Sequence, residues 1–239
     1  MIYQLIITAT PFLHTFHRAL SILSLRHPPG LLITTSGISK FFSNGLDLDH
    51  VHSTHLNSFY TTALFPVFRA LLSFPMPTLA LLNGHTFAGG LLLAMHHDYR
   101  LMNPAKGFAA LNEIDFGMLI ETPLLSAVRE KTSAATFRAL ILEGRRFPAK
   151  AAVEAGFVDE VGGLEEAVKY AVERKLWEKG KSGVFARMRE EMYRQSVDAL
   201  SDYTATKMWR EGVEGEKVRE GREAEEWVRR WESEGKAKL

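Results

Sequence analysis

The sequence predicts an α/β fold, and three observations favour it. Short apolar, strand-like runs alternate with longer runs whose apolar residues recur at helical spacing, as in helices packed against a sheet. The 239 residues, 46% of them hydrophobic, are enough for one sizeable core with an appendage. An apolar run from Leu79 leads through Ala88-Gly89-Gly90 into an apolar helical pattern. We expect this strand–turn–helix unit to organise the fold, because glycine lets another group approach the backbone closely.

Composition excludes several classes of function. The chain has no cysteine, which excludes disulfides, thiolate zinc sites and a cysteine nucleophile. A formal net charge of +1 argues against nucleic acid or an anionic membrane as a main partner. No apolar run reaches the roughly 18 residues of a membrane-spanning helix, so we expect no membrane span. The apolar residues 1–10 lack a basic region, and a short strand is expected there rather than a secretory signal.

The elements before the central unit follow from periodicity and from turn residues. The patterns predict a helix over residues 12–26, a strand over 31–36, a turn loop over 41–48 and a helix over 56–72. Pro28-Pro29-Gly30 ends the first of these helices, and Pro66 is expected to kink the second. The loop is centred on Ser43-Asn44-Gly45, which is a turn signal.

The elements after the central unit become increasingly helical. The patterns predict a strand over residues 99–102, an extended segment over 108–113, helices over 123–142 and 148–155, and a small strand over 157–161. Charged residues become frequent beyond about residue 163, where the pattern stays helical. We therefore predict a core domain over 1–164 and a helical region over 165–239. Trp227 and Trp231 are expected to make their helix dock on something, because two exposed indoles are unusual.

Common nucleotide, hydrolase and metal motifs are missing. The chain has no Gly-x-Gly-x-x-Gly or Walker sequence, and no Gly-x-Ser-x-Gly nucleophile elbow. His50, His52 and His55 are spaced so that they scatter around a helix, and the adjacent His96 and His97 point apart. No metal site is predicted.

Five segments, in this order and spacing, carry a family resemblance. They are Phe42-Ser-Asn-Gly-Leu-Asp47, Asn83-Gly-His-Thr-Phe-Ala-Gly-Gly90, His97-Asp-Tyr-Arg100, Leu111-Asn-Glu113 and Ala152-Val-Glu-Ala-Gly-Phe-Val-Asp-Glu-Val161. From about residue 12 to residue 170 the chain resembles the crotonase (enoyl-CoA hydratase/isomerase) superfamily. Within it, the chain most resembles the peroxisomal Δ3,Δ2-enoyl-CoA isomerases of fungi and plants. The resemblance implies a spiral of ββα turns, an acyl-CoA substrate, no separate cofactor, and a homotrimer or hexamer assembled through helices of residues 165–200.

The resemblance also implies the site residues. The backbone N–H groups of Leu46 and Gly89 would form an oxyanion hole for the thioester carbonyl, and Glu113 would be the general base. Residues expected to bind the rest of the substrate are Ser43, Asn44, Asp47, Leu48 and Gly90. The sequence around Glu113 is rich in apolar residues, and burial among them raises a carboxylate pKa towards neutrality. Such a pKa suits a base that works near pH 7.

One position separates two reactions of the superfamily. Hydratases of this family use two glutamates to hold and split a water, and the first of them falls here on Leu92. A single carboxylate can move a proton from C2 to C4, so Leu92 favours double-bond isomerisation in fatty acid β-oxidation. Glu121 leaves an alternative open: if it points into the pocket, a two-acid reaction such as hydration is possible again.

The two ends of the chain carry further expectations. The N-terminal segment that helps bind CoA in the family is shortened here, and the unrelated residues 1–11 replace it. A catalytically degenerate acyl-CoA-binding subunit is therefore a second alternative. Ala237-Lys238-Leu239 is a variant of the Ser-Lys-Leu peroxisomal address, which predicts a peroxisomal location and recognition by the import receptor. Without that signal the protein would be cytoplasmic.

Overall fold

The computed structural model of the chain describes residues 9–27 and 29–233. All but the last two residues of the strand predicted over residues 1–10 lie outside this range, and so does the C-terminal tripeptide. Thr10 already belongs to the first helix. The chain divides into two compact units, one ending at Ser201 and the other beginning at Asp202.

Within the described residues, seven strands build two parallel sheets. The first sheet has the order β1 (Leu32–Thr34), β3 (Thr78–Leu82), β5 (Tyr99–Met102), β7 (Glu160–Val161). The second has the order β2 (Phe41–Ser43), β4 (His85–Phe87), β6 (Ala109–Ala110). Successive strands alternate between the two sheets, and helices follow each pair of strands. The spiral of ββα turns that the resemblance implied is therefore confirmed.

The helices of the first unit fill the connections and follow the last strand. They are α1 (Thr10–Arg26), α2 (Leu48–Ser53), α3 (Leu56–Phe59), α4 (Phe65–Leu72), α5 (Gly89–Met95), α6 (Thr122–Glu130), α7 (Ala134–Ile141), α8 (Ala149–Glu154), α9 (Leu164–Glu173), α10 (Leu176–Lys179), α11 (Val184–Met192) and α12 (Arg194–Ser201). Short 3₁₀ segments lie at Glu113–Phe116 and Gly180–Ser182.

Several predicted boundaries are wrong for local reasons. The helix expected over residues 123–142 is two helices, because Ser133 caps α7 by accepting a hydrogen bond from the Thr136 N–H at 3.1 Å. The loop expected over 41–48 contains β2 and the first residue of α2, whose N-cap is Asp47. The strands expected over 108–113 and 157–161 shrink to two residues each.

The helix predicted over residues 56–72 contains a π-helical turn just before Pro66. Tyr60–Leu64 is a π-helix, placed between α3 and α4. Proline has no N–H to donate to the carbonyl of residue 62. The Thr62 carbonyl instead accepts a hydrogen bond from Nε2 of His14 on α1, at 3.1 Å. The π-turn thus replaces a missing helix bond with a contact to a neighbouring helix.

The core explains why the central unit is so apolar. All five residues of β3 are buried, as are all seven residues of α5. A strand between two parallel neighbours is covered on both faces, and a helix that is apolar all round must be enclosed. α9 adds Ala167, Tyr170 and Ala171 to the hydrophobic cluster against the first sheet. This core therefore draws on both predicted domains, and the boundary at 164/165 stays a prediction.

A buried ion pair ties α11 to the first sheet. The Asp98 carboxylate accepts hydrogen bonds from Thr78 N at 2.8 Å and Thr78 Oγ1 at 3.0 Å. It also pairs with the guanidinium of Arg189, which is 4% exposed and donates to the carbonyls of Phe74 and Met76 as well. One carboxylate thus joins the start of β3, the start of β5 and α11.

The second unit, as far as it is described, is one helix, α13 (Tyr203–Ser233), which buries none of its residues. Glu225–Arg229 and Glu226–Arg230 form ion pairs at i,i+4, as their spacing indicates. Trp227 is 64% exposed and stacks on Trp231, with the ring centroids 6.4 Å apart. The expected docking of this helix stays a prediction. Among the described residues, no helix combines the length and apolarity of a membrane-crossing segment.

Candidate functional site

The second sheet positions a narrow cavity of about 70 Å³. Leu46 follows β2, Gly89 follows β4 and Glu113 follows β6, and all three line the cavity. The carboxyl ends of parallel strands meet at one edge of a sheet, which brings together segments that are far apart in sequence. In the part of the chain that the structure describes, the lining consists of Asn44, Leu46, Leu48, Tyr60, Ala88, Gly89, Leu92, Glu113, Phe116, Met118, Leu119, Ile120 and Leu124.

The loops after β2 and β4 touch through their backbones. Gly45 has φ +101°, and a Cβ built on it would lie 3.4 Å from the Gly89 nitrogen. A Cβ built on Gly89 would lie 3.5 Å from the Leu46 nitrogen and 3.0 Å from Leu46 Cγ. The N–H groups of Leu46 and Gly89 therefore belong to two backbone segments in direct contact. Both segments border the same cavity. The oxyanion hole that the resemblance implied for these two N–H groups stays a prediction.

Gly90 sets the packing behind these two segments. A Cβ on Gly90 would lie 2.6 Å from Ser43 Cβ and 2.8 Å from the Ser43 carbonyl oxygen, distances that no side chain tolerates without movement. The Ser43 hydroxyl in turn accepts a hydrogen bond from the Gly45 N–H at 3.2 Å. Ser43 and Gly90 thus hold the turn from behind.

Glu113 is the acidic side chain of the cavity. It is 5% exposed, and no donor in the described part of the chain reaches its Oε2 atom. Burial raises the pKa of Glu113 to about 7, and a hydrogen bond from its own backbone N–H only partly opposes this effect. A buried carboxylate oxygen without a hydrogen-bond partner costs stability, which indicates a role other than folding.

The raised pKa predicts how activity and stability depend on pH. Glu113 must be ionised to accept a proton, so we expect kcat/KM to rise with pH and level off above about 7.

Between pH 4.5 and 7 the folded chain keeps a proton on Glu113 that the unfolded chain has lost. The contribution of Glu113 to the free energy of unfolding therefore falls as pH rises through this window. Denaturant unfolding of the wild type and of Glu113→Gln at several pH values tests this dependence of stability. If the free energy of unfolding depended on pH in the same way in both proteins, the prediction would be contradicted.

The far end of α5 is held by hydrogen bonds from the half-buried Lys131 and the buried Arg100. Lys131 Nζ donates to the carbonyls of Met95 and His97 at 2.6 and 2.7 Å, and Arg100 Nη1 donates to His97 O at 2.8 Å. Burial holds the pKa of Lys131 well below its ordinary value. Burial likewise lowers the pKa of His97 to about 3, and its Nε2 contacts Thr34 Oγ1 at 2.8 Å. The helix that presents Gly89 is thus fixed at its other end.

The structure brings some of the predicted site residues together and gives others packing contacts. Asn44, Leu46, Leu48, Gly89 and Glu113 line the cavity. Ser43 and Gly90 pack behind it, and Asp47 caps α2 by accepting from His50 N at 3.0 Å. The roles in substrate binding that the resemblance implied for these residues stay predictions. Sequence reasoning did not assign Tyr60 and Leu124 to the site, and no motif marks them.

The second acid considered from the sequence has a different environment. Glu121 is buried, 5% exposed, and precedes α6. Among the described residues, the cavity lining includes Glu113 but not Glu121. In the same part of the chain, no group of three His, Asp or Glu side chains is arranged to hold a metal ion.

Sequence comparison relates the chain to a known enzyme family. Residues 15–234 match the enoyl-CoA hydratase/isomerase family. The chain is 33% identical to enoyl-CoA delta isomerase 3 of Arabidopsis thaliana over 215 residues, which cover 81% of this chain and 90% of that protein. It is 38% identical to the peroxisomal enoyl-CoA delta isomerase 2 of the same plant over 178 residues, covering 69% and 74% of the two chains.

Solved structures share the fold. The apo structure of an enoyl-CoA isomerase from Mycobacterium tuberculosis aligns with a TM-score of 0.70 at 22% identity, covering 80% of this chain and 84% of that one. An enoyl-CoA hydratase/isomerase family protein from Pseudomonas syringae aligns with a TM-score of 0.69 at 22% identity, covering 86% and 88%. Together, the ββα spiral and the match over residues 15–234 show that this chain belongs to the enoyl-CoA hydratase/isomerase family.

Proposed function

We propose that the protein is an enoyl-CoA isomerase that converts a 3-enoyl-CoA into the 2-trans-enoyl-CoA. The observation that carries the proposal is Glu113, a buried carboxylate with an unpartnered Oε2 in the cavity that Leu46 and Gly89 also line. The similar Arabidopsis proteins named enoyl-CoA delta isomerases support the same reaction. The substrate is an acyl-CoA thioester, and the reaction needs no separate cofactor.

The proposed reaction is a proton shift between two carbons. The N–H groups of Leu46 and Gly89 polarise the thioester carbonyl, which makes the C2 hydrogens more acidic. Glu113 takes a proton from C2, the double bond moves from C3–C4 to C2–C3, and Glu113 returns the proton to C4. No proton is gained or lost overall. Each oxyanion donor contributes roughly 2.7–4 kcal/mol to such barriers.

Leu92 supports isomerisation over hydration. It is 2% exposed and lines the cavity, at the position where the hydratase pattern has a glutamate. The rest of the described lining is largely apolar, and Glu113 is the one carboxylate within it. The direct test measures conversion of 3-enoyl-CoA and water addition to 2-enoyl-CoA by the purified chain. Hydration faster than isomerisation would overturn the proposal, and so would acyl-CoA binding without turnover, which would indicate a degenerate binding subunit.

Replacement of Leu92 by glutamate adds the missing second acid. In Leu92→Glu we expect the ratio of hydratase to isomerase activity to rise, because two carboxylates can hold and split a water. We also expect lower isomerase activity, since a second negative charge in the cavity disfavours ionised Glu113. Leu92→Gln is the matched control for size and polarity. An equal change of the activity ratio in both variants would contradict the prediction.

Fatty acid β-oxidation in peroxisomes is the setting that we propose. Two of the similar Arabidopsis isomerases are named peroxisomal. Ala237-Lys238-Leu239, which lies outside the described residues, supplies the candidate address for the import receptor. Removal of these three residues from a fluorescent fusion should leave it in the cytosol. Retention of the truncated fusion in peroxisomes would exclude the tripeptide as the signal.

The proposed assembly is a homotrimer or hexamer formed through helices after residue 164. Two exposed apolar stripes, with members four residues apart, support it. They consist of Leu164, Val168 and Val172 on α9 and of Val184, Met188 and Met192 on α11, each 48% to 69% exposed. Exposed apolar surface at helical spacing is typical of subunit interfaces. Light scattering that showed a monomer would overturn this assembly.

A further inference from the structure

The cavity has a buried floor and an exposed apolar rim. Its floor consists of Tyr60, Leu92 and Leu124, which are 3%, 2% and 2% exposed. Its rim consists of Leu48, Phe116 and Leu119, which are 38%, 48% and 62% exposed. Large exposed apolar side chains that continue an apolar cavity are typical of ligand-binding grooves and of protein interfaces.

We propose that the acyl tail of the substrate leaves the cavity across this rim, and that Phe116 and Leu119 give the enzyme a preference for medium or long acyl chains. The inference rests on the proposed function, because it takes Glu113 as the position of the reacting carbons. It assigns a role in substrate selection to Phe116 and Leu119, which lie outside the five segments that carry the family resemblance.

The size of the cavity argues that the tail goes outward. Its volume is about 70 Å³, small beside the roughly 300–1,000 Å³ of typical ligand pockets. Tyr60, Leu92 and Leu124 are buried, and a cavity of this volume leaves little room for acyl carbons beyond the reacting segment. The rim is the open, apolar path.

The local backbone places the rim beside the base. Glu113 and Phe116 are the first and last residues of one 3₁₀ segment, in which side chains at i and i+3 eclipse one another. Met118 N then donates to the Glu113 carbonyl at 2.9 Å, which turns the chain back before Leu119. A tail that leaves the carbons next to Glu113 therefore meets Phe116 first and Leu119 next.

Chain-length kinetics test the inference. We would measure kcat/KM for C6 and C12 3-enoyl-CoA with the wild type, Phe116→Ser, Leu119→Ser and Leu142→Ser. Leu142 is the matched control, because it is 65% exposed but does not line the cavity. Each fully buried methylene is worth up to about fourfold, so six partly covered ones should favour C12 by roughly tenfold or more. Each rim variant should lower this C12/C6 ratio several-fold, whereas Leu142→Ser should keep it.

Each other outcome overturns either the inference or the proposed function. Equal or better turnover of C6 by the wild type overturns the inference and leaves the isomerase standing. The inference also fails if Leu119→Ser and Leu142→Ser have the same ratio. A change of oligomer mass in the rim variants would show that a second copy covers the rim, which overturns it too. If no chain length is turned over, the proposed function fails. Dissociation constants of saturated C6 and C12 acyl-CoAs then decide the inference.

Discussion

Glu113→Gln should lower kcat on a 3-enoyl-CoA by roughly 10²–10⁴-fold, the range that a positioned general base contributes. Glutamine keeps the size of the side chain but cannot accept a proton from C2 and return it to C4. The KM should change far less, because the acyl-CoA contacts remain. Measurement of kcat and KM for the same substrate checks both expectations.

The chain offers a matched control for this variant. Glu121 is also a glutamate and is also 5% exposed, yet it is outside the cavity lining of the described residues. Glu121→Gln should therefore keep most of the isomerase activity. A loss as large as that of Glu113→Gln would indicate a two-acid reaction. Full activity in Glu113→Gln would overturn the proposed mechanism.

The same variant should be more stable than the wild type above pH 7. Burial raises the pKa of Glu113 to about 7, so ionisation above that pH places a charge in an apolar cavity. Glutamine removes this charge. A higher Tm of Glu113→Gln at pH 8 would show that the loss of activity does not come from unfolding.

Asp98→Ala should lower the free energy of unfolding by about 3–5 kcal/mol, the usual cost of removing one partner of a buried ion pair. The variant leaves the Arg189 guanidinium, which is 4% exposed, without its carboxylate. It also removes the acceptor of two hydrogen bonds that Thr78 donates. Denaturant unfolding followed by circular dichroism measures the loss.

A second variant shows whether the unpaired charge causes that loss. In Asp98→Ala/Arg189→Met no buried charge is left without a partner at this place, so part of the stability should return. Glu173→Ala is the surface control, since its pair with Lys169 is exposed and worth about 0.3–0.5 kcal/mol. If the double variant is no more stable than Asp98→Ala, the desolvated arginine is not the cause.

Local sequence patterns determine much of the fold and most of the candidate site. Turn glycines, short apolar runs and helical spacing can be recognised within short stretches of sequence. The central strand, the glycine turn and α5 therefore follow directly from residues 79–95. The candidate site residues Leu46, Gly89 and Glu113 could be predicted because each lies in a segment that resembles the family. Burial of Glu113 also followed from its apolar neighbours.

Other features depend on contacts between segments far apart in sequence. In the π-turn Tyr60–Leu64, the Thr62 carbonyl has no helix donor at Pro66, and it accepts a hydrogen bond from His14 on α1 instead. Tyr60 reaches the cavity from this turn, and no motif marks it.

The sequence by itself determined the family and the glycine turn, because these depend on residue types at fixed spacing. It offered Glu113 as the acid of the cavity, with Glu121 as an alternative. Only the tertiary structure decided which acid lines the cavity. Glu113 and Glu121 are eight positions apart and equally buried, and the chain turn after the 3₁₀ segment separates their surroundings. The rim of Leu48, Phe116 and Leu119 likewise needed the fold, because exposure of an apolar side chain is a property of packing rather than of sequence.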